Sequence, residues 1–556
     1  MGEHLVRFTE PVVKKTMHQY SIKADILIKN GRIVDGTGNP NYVADLAIKD
    51  GIIQYIGNNP NIEADLTINA SGKLVTPGFI DSHSHSDATI WANPECQSTV
   101  RQGVTTEIVG QCGMVGPLFA KHSIESKPGQ PLTIYEALPP EGSFKTVFPR
   151  IEDMGVSENL MFMCGHNKLR EIAGIATSEY TEEQFSIMER HLREALESGY
   201  AGFSSGLEFL PGLLATSEEI SRLVGIVKEY DGIYTSHIRN RDSDVIAALE
   251  EFIDVIQTHR IRGIVSHLSI RENTGAPDNA LRDCISRLHE IRDSEGLNIL
   301  TDMIPSLYAM GPMVTLLPAW VTAGGWENAR KILADPQQRR ILRTDCDRYW
   351  RFIHRGEWDR VRVQFAPAFP EIAGLSFPEV AKKWQKDEWD CLFDILMSAR
   401  HLTEVRHTTM TSRAFSEEDV VESITDPLFM WAVDGYTSVV DGPLAAETSN
   451  PKHYKDMMYF LTHHIRDNKV ISLEKGISKL TSLPASFYKL RKRGQILEGF
   501  IADINVFDLD ALKVSATFEN PYVYSTGMDY VLVNGVPVIA AGDHTHARPG
   551  MVLRGN

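Results

Sequence analysis

From about Val75 to about Gly435 the chain alternates short apolar runs with amphipathic stretches. Eight runs have the length and flanks of strands: residues 75–85, 105–113, 159–167, 199–206, 232–239, 261–269, 297–304 and 429–435. Stretches such as 181–199 and 243–260 lie between them with apolar residues at helical spacing. The first of these starts at Thr181 with Glu183 in its opening turn, a helix N-terminal signal. Strand–helix alternation gives a parallel sheet with crossover helices. Eight such units predict an α/β fold, a closed (β/α)8 barrel of the TIM type whose chemistry sits at the carboxyl ends of the strands.

Both ends have another grammar. Residues 24–38 and 43–57, and again 502–510 and 529–542, place alternating apolar residues around N-G or D-G pairs, the residues that tolerate the positive φ of a tight hairpin. Two such ends predict a small composite β-sandwich domain, built from residues 1–74 and 485–556 around a barrel of 75–484. More than a hundred residues separate the seventh and eighth strand candidates. A gap that long is expected to hold an inserted subdomain, about 308–426, placed before the last strand where it can cover the site.

Composition narrows the class. Hydrophobic residues at 42% and charged residues at 23% fit a globular protein, and a net charge of -17 argues against nucleic acid or an anionic membrane as partner. The first fifteen residues carry no apolar stretch of the signal-peptide kind, and no run reaches membrane-spanning length. Six scattered cysteines without a C-x-x-C pair point to a reducing compartment, hence the cytoplasm. A homo-oligomer is compatible with all this but is not written in the sequence.

His83 and His85 end the first strand two residues apart, so both rings share one face. With 19 histidines in the chain about 0.6 such pairs arise by chance, so the pair alone carries little. A second pair, His544 and His546, sits in a Gly- and Pro-flanked tail and reads as a surface turn. The first pair gains weight from its company: Cys112 ends the second strand, His237 the fifth, His267 the sixth and Asp434 the eighth. In a closed barrel these ends converge, and thiolate, imidazole and carboxylate are all zinc ligands. The six could hold two adjacent ions, or one tight Zn2+ and a weaker second. His166 could join the site or bond the barrel rim, Cys96 reads as a bystander, and Asp441 competes with Asp434 as the functional D-G aspartate.

These residues lie in segments that resemble the D-aminoacylase (N-acyl-D-amino-acid deacylase) family of the amidohydrolase superfamily. The carrying segments are VTPGFIDSHSHSD, QGVTTEIVGQCG, GFSSGLEFLPG, YTSHIR, LPAW with a following GG, the run from Thr481 to Asp508, VLVNGVPV and ARPGMVLR. The resemblance implies that Cys112, standing where related hydrolases carry a carboxylated lysine, holds the tighter zinc with His237 and His267. His83, His85 and Asp434 would line a second, weaker position, with Asp434 as general base and acid. The implied reaction is hydrolysis of a non-peptide amide in an N-acylated amine or amino acid, a small-molecule substrate. The sequence departs from the family at the substrate side: Ser269 replaces a lysine, Ser306 ends a D-x-Y-P-Y motif that has lost both tyrosines, and Lys452 follows Asn450-Pro451 in place of H-P-R. Glu208 and Phe209 occupy the segment that usually presents a tyrosine. Arg239, Lys452, Ser269, Glu208, Phe209 and Ser306 are therefore the candidate substrate-binding residues. Two alternatives remain: a cyclic amide or imide hydrolase of the hydantoinase type, and a catalytically silent barrel that binds or scaffolds.

Overall fold

A computed structural model describes residues 22–58, 61–114, 142–345, 351–442 and 444–555; the amino-terminal segment considered for a signal peptide and Cys346 lie outside the described residues. The eight expected strands all form. They are β1 (Phe79–Asp81), β2 (Val104–Val109), β3 (Asn159–Gly165), β4 (Gly202–Gly206), β5 (Ile233–His237), β6 (Arg262–Val265), β7 (Ile299–Met303) and β8 (Phe429–Trp431). Each pairs in parallel with the next in order. The seam between β8 and β1 closes just beyond the strands, where Asp434 N donates to the His83 carbonyl at 2.9 Å and His85 N to that of Gly435 at 2.8 Å. Closure is thus made by backbone that also carries three of the candidate ligands.

The helices follow from local chemistry. In the helix Glu182–Glu197, Thr181 Oγ1 accepts from Gln184 N at 3.2 Å and Gln184 returns a bond to Thr181 N at 3.0 Å. The capping partner is Gln184 and not Glu183, because the box closes on the third helical residue. Its apolar face, Phe185, Met188, Leu192 and Ala195, packs into the main core.

The two ends of the chain interleave in one nine-stranded sheet, joined where Leu74–Pro77 pairs antiparallel with Ile504–Phe507. The segment expected as the first barrel strand therefore divides at Pro77-Gly78, its front half serving the terminal sheet. A side chain at Gly78 would meet Thr105 at 2.2 Å, so only glycine lets the chain cross there. Two of the four D-G and N-G pairs in these segments are tight hairpin turns, with Asp50 and Asn534 at φ 52° and 51°. Asn30-Gly31 is not one. It lies inside the strand Ile22–Ile33 as a bulge, since Asn30 N finds a partner across the sheet in Asp45 Oδ1 at 2.8 Å.

Between β7 and β8 the insertion builds a three-stranded antiparallel sheet from Tyr308–Pro312, Val361–Phe365 and Thr409–Arg413. It has its own core, with Trp326, Phe352, Trp358, Phe377 and Leu392 buried together. Its strands Tyr308–Pro312 and Thr409–Arg413 face the barrel mouth, where they form one wall of the main cavity.

Candidate metal centre

Cys112, His267 and Asp434 share an unusual backbone: all three follow strand ends with positive φ, at 52°, 36° and 51°. Non-glycine residues rarely adopt this region, and here it turns each side chain inward over the barrel axis. Gly110 and Gly113, also at positive φ, flank Cys112; a Cβ on Gly110 would strike the Met163 carbonyl at 2.3 Å. The strained turn is therefore fixed by close packing on β3 and β4.

The Cys112 sulfur is the hub. Its Sγ lies 3.2 Å from His83 Nε2, 3.3 Å from His267 Nε2 and 3.6 Å from His237 Nδ1. Asp434 Oδ1 lies 3.7 Å from His83 Nε2 and 3.1 Å from His85 Nε2. Ligand atoms of His83, Cys112, His267 and Asp434 all fall within 4.8 Å of one another. Zinc bonds of about 2.0–2.3 Å set tetrahedral donor atoms roughly 3.3–3.6 Å apart, so the observed spacing fits that ion. The supporting partners fit as well. Glu208 Oε2 holds His237 Nε2 at 2.7 Å, and Asp302 Oδ2 lies 3.5 Å from His83 Nδ1, which leaves the inward nitrogen of each ring free to ligate. His267 differs, because Arg241 Nη1 donates to its Nδ1 at 2.9 Å and to its carbonyl at 3.1 Å. A metal on Nε2 needs the ring proton on Nδ1, so the guanidinium must then rely on the carbonyl bond.

The electrostatics favour a cation. Burial opposes ionisation of Cys112, but the charge of His83 and hydrogen bonds from His237 and His267 bring the thiol well below its usual range. Burial likewise opposes charge on His85, and bonds to Asp434 and Cys112 outweigh it, raising the ring to about 9. His267 goes the other way, down to about 3, through burial and then the charge of Arg241. Asp434 is held well below the ordinary carboxylate range against its burial, first by Lys452 and then by the His85 bond. Thiolate and carboxylate thus sit ionised in a dry cluster, a pair of anions with neighbouring lone pairs that a divalent metal matches.

The amidohydrolase family pattern matches residues 66–224 and 445–539. N-acyl-D-glutamate deacylase of Alcaligenes xylosoxydans xylosoxydans is 28% identical over 96% of this chain and 97% of its own. D-aminoacylase of the same organism is 27% identical over 95% and 97%. The chain is thus similar to amidohydrolases and, over nearly its whole length, to the D-aminoacylase relatives among them. A crystal structure of N-acyl-D-glutamate deacylase from Bordetella bronchiseptica, complexed with zinc and a phosphonate inhibitor, superposes with TM-score 0.76 at 26% identity, over 96% of this chain and all of that one. A D-aminoacylase structure superposes at 0.78 with 23% identity, over 96% and 100%, which shows the shared fold. D-hydantoinase is more distant, at 0.54 and 14%.

The expected substrate-side residues lie as follows. Arg239 turns away from the mouth: its guanidinium pairs with Glu251 at 2.8 and 2.9 Å and donates to the carbonyls of Leu213 and Ala215. Lys452 is buried behind Asp434, its Nζ 3.4 Å from Oδ2. Ser269 Oγ donates to the His267 carbonyl at 3.0 Å, and Ser306 Oγ accepts from Tyr308 N at 3.3 Å. None of these four lines the cavity over the metal cluster. Glu208 and Phe209 do, but Glu208 is engaged in a bidentate pair with Arg271 besides its bond to His237, and Phe209 packs edge-on against the His237 ring at 4.5 Å. His166 bonds Glu219 at 2.7 Å and stays outside the cluster, and Asp441 is exposed. Buried Cys96 takes no part in the cluster, and His544 and His546 bond Glu95 at the surface.

Two cavity residues escaped the sequence reading. Arg241 and Arg271, 5% and 4% exposed, line the mouth beside the cluster. The signal was present in H-I-R-N-R, but β5 stops at His237. Beyond it Asn240 Oδ1 accepts from Asp242 N and Asp244 N, and this turn brings Arg241 inward.

Proposed function

We propose that the chain is a zinc-dependent hydrolase of the amide bond in N-acylated amines or amino acids. Cys112, His237 and His267 would hold the tight zinc, with a weaker second position toward His83, His85 and Asp434. The single observation that carries this reading is the arrangement of Asp434: its Oδ1 faces the histidine–thiolate cluster while Lys452 engages its Oδ2. Zinc in such a cluster supplies a Lewis acid that acidifies water and polarises a carbonyl. The chain supplies the proton traffic. Asp434, kept ionised by Lys452, accepts the proton of the attacking water at Oδ1 and later delivers it to the leaving nitrogen. His85, 3.1 Å from that oxygen, orients it. Ile304, Met310, Met410 and Phe415 form an apolar wall opposite and shield the reacting groups from bulk water.

The relatives act, by name, on N-acyl-D-glutamate, on N-acyl-D-aspartate and as a D-aminoacylase, which supports an acylated amino acid as substrate here. The lower superposition on D-hydantoinase makes a cyclic amide the weaker reading. A complete donor set argues against a silent barrel. We place the enzyme in the cytoplasm: five free cysteines are buried, and among the described residues no helix is long and apolar enough to cross a membrane.

The test is amine release by zinc-loaded protein from a panel of N-acyl-D- and N-acyl-L-amino acids, with hydantoins and dihydropyrimidines alongside. Turnover of acyl amino acids supports the proposal; ring opening alone reassigns it to the hydantoinase type. Silence across the panel, with no zinc-dependent stabilisation, would return it to a binding protein.

A further inference from the structure

We propose that Arg241 is the carboxylate-binding residue of this site. The inference rests on the amide-hydrolase reading above and adds the substrate's charge to it: an N-acyl amino acid with a free α-carboxylate. Its neighbours identify it. The guanidinium is 5% exposed and lines the cavity, and its Nε is buried with no hydrogen-bond partner. Nη1 is occupied by the His267 ring and carbonyl, with Ser269 Oγ at 3.4 Å. The nearest carboxylate, Glu208, lies 3.8 Å away and is already committed to Arg271 and His237.

A buried guanidinium whose nearest carboxylate is shared with Arg271 and His237 can take an anion at its open edge. Arg271 is not equivalent, because its fork is filled by Glu208 and it also lies 3.6 Å from Asp242. Position fits chemistry. Arg241 is one imidazole ring away from the Cys112 sulfur, and in an N-acyl amino acid the carboxylate lies two bonds from the nitrogen that leaves. Ser269 is short, and Arg241 Nη1 reaches within 3.4 Å of its Oγ, where a longer side chain would project.

The experiment separates charge recognition from turnover. In zinc-loaded protein carrying Asp434→Asn, calorimetry compares binding of an N-acyl amino acid with its primary amide, in which the carboxylate is neutral. The acid is expected to bind about 10–100-fold more tightly, the scale of one charge-assisted hydrogen bond pair. Arg241→Met should abolish that preference, Arg241→Lys should keep part of it, and Arg241→Met with Ser269→Lys should restore it by returning a cation to the neighbouring position. Bound zinc is measured in each variant, so that loss of the metal is not mistaken for loss of the anion contact. Equal affinity for acid and amide, or a preference that survives Arg241→Met, overturns the assignment. Turnover of both compounds without preference by the unaltered enzyme would leave the hydrolase reading standing and sink this one. If Arg241→Met does not fold, the Lys variant and the acid-to-amide ratio of the parent still decide.

Discussion

Replacing Glu208 with glutamine should weaken zinc binding about 10–100-fold without touching a ligand atom. Three hydrogen bonds converge on this carboxylate: Arg271 reaches both oxygens, and His237 Nε2 lies 2.7 Å from Oε2. An amide has one acceptor oxygen. Placed at the Oε2 position it keeps His237 but turns an NH2 group toward Arg271, and in the other orientation the NH2 faces the ring N–H. Either way His237 loses a negatively charged acceptor, which made its opposite nitrogen more basic. Loss of such a supporting partner costs 10–100-fold in metal affinity, about 1.4–2.7 kcal/mol. A second cost falls on folding, because Arg271, at 4% exposure, loses the charge of its bidentate carboxylate partner, and breaking a buried pair costs up to about 3–5 kcal/mol. Glu208 is ionised well below its usual range, against its burial, through Arg271 and then His237. Its stabilising contribution is therefore complete above the ordinary carboxylate range and is lost as pH falls through the lowered value. Competition with a calibrated chelator reads the zinc affinity, and denaturation from neutral to acidic pH reads the folding term. An unchanged zinc affinity in a folded Glu208→Gln protein would refute the claim that this carboxylate tunes His237.

Cys112→Ala should remove the tight metal while leaving the barrel folded; cobalt substitution reads it directly, since the sulfur-to-cobalt charge-transfer band must vanish. Asp434→Asn should retain most of the zinc and lose about 10²–10⁴-fold in kcat, the range of a positioned acid–base group, as measured by steady-state kinetics with metal analysis. Lys452→Met removes the cation that holds Asp434 acidic, so the acid limb of the kcat profile should move to higher pH and rates near pH 5 should fall most; an unmoved limb would assign that limb to another group.

The meeting of the candidate ligands at the barrel mouth was legible because strand alternation and barrel closure convert positions in a sequence into positions in space. His83, His237 and the residues just past β2, β6 and β8 need only the strand ends to be placed, and the apolar runs mark those ends well. The substrate half was illegible for the same reason inverted. Arg239 was considered as a remaining cation two residues after His237, yet the strand had ended and an Asn240 turn set the direction of the next side chains. Lys452 was considered from its family position, and the structure turns its ammonium onto Asp434. The Asn30-Gly31 pair shows the limit of turn grammar: its local preference for positive φ was satisfied, but by a bulge within a long strand, because an inter-strand partner was available.

The distribution of charge over the cavity follows from this division. The barrel ends fix the metal ligands through main-chain geometry that cannot drift without opening the β1–β8 seam. The loops beyond them carry Arg241, Glu208 and Arg271 as a linked set, each holding a ligand histidine or holding the residue that does. A substitution that changes substrate charge recognition here is therefore felt by His237 or His267, and so by the metal. A lysine at 269 would set a second cation against Arg241, whose Nη1 lies 3.4 Å from Ser269 Oγ and which already shares Glu208 with Arg271.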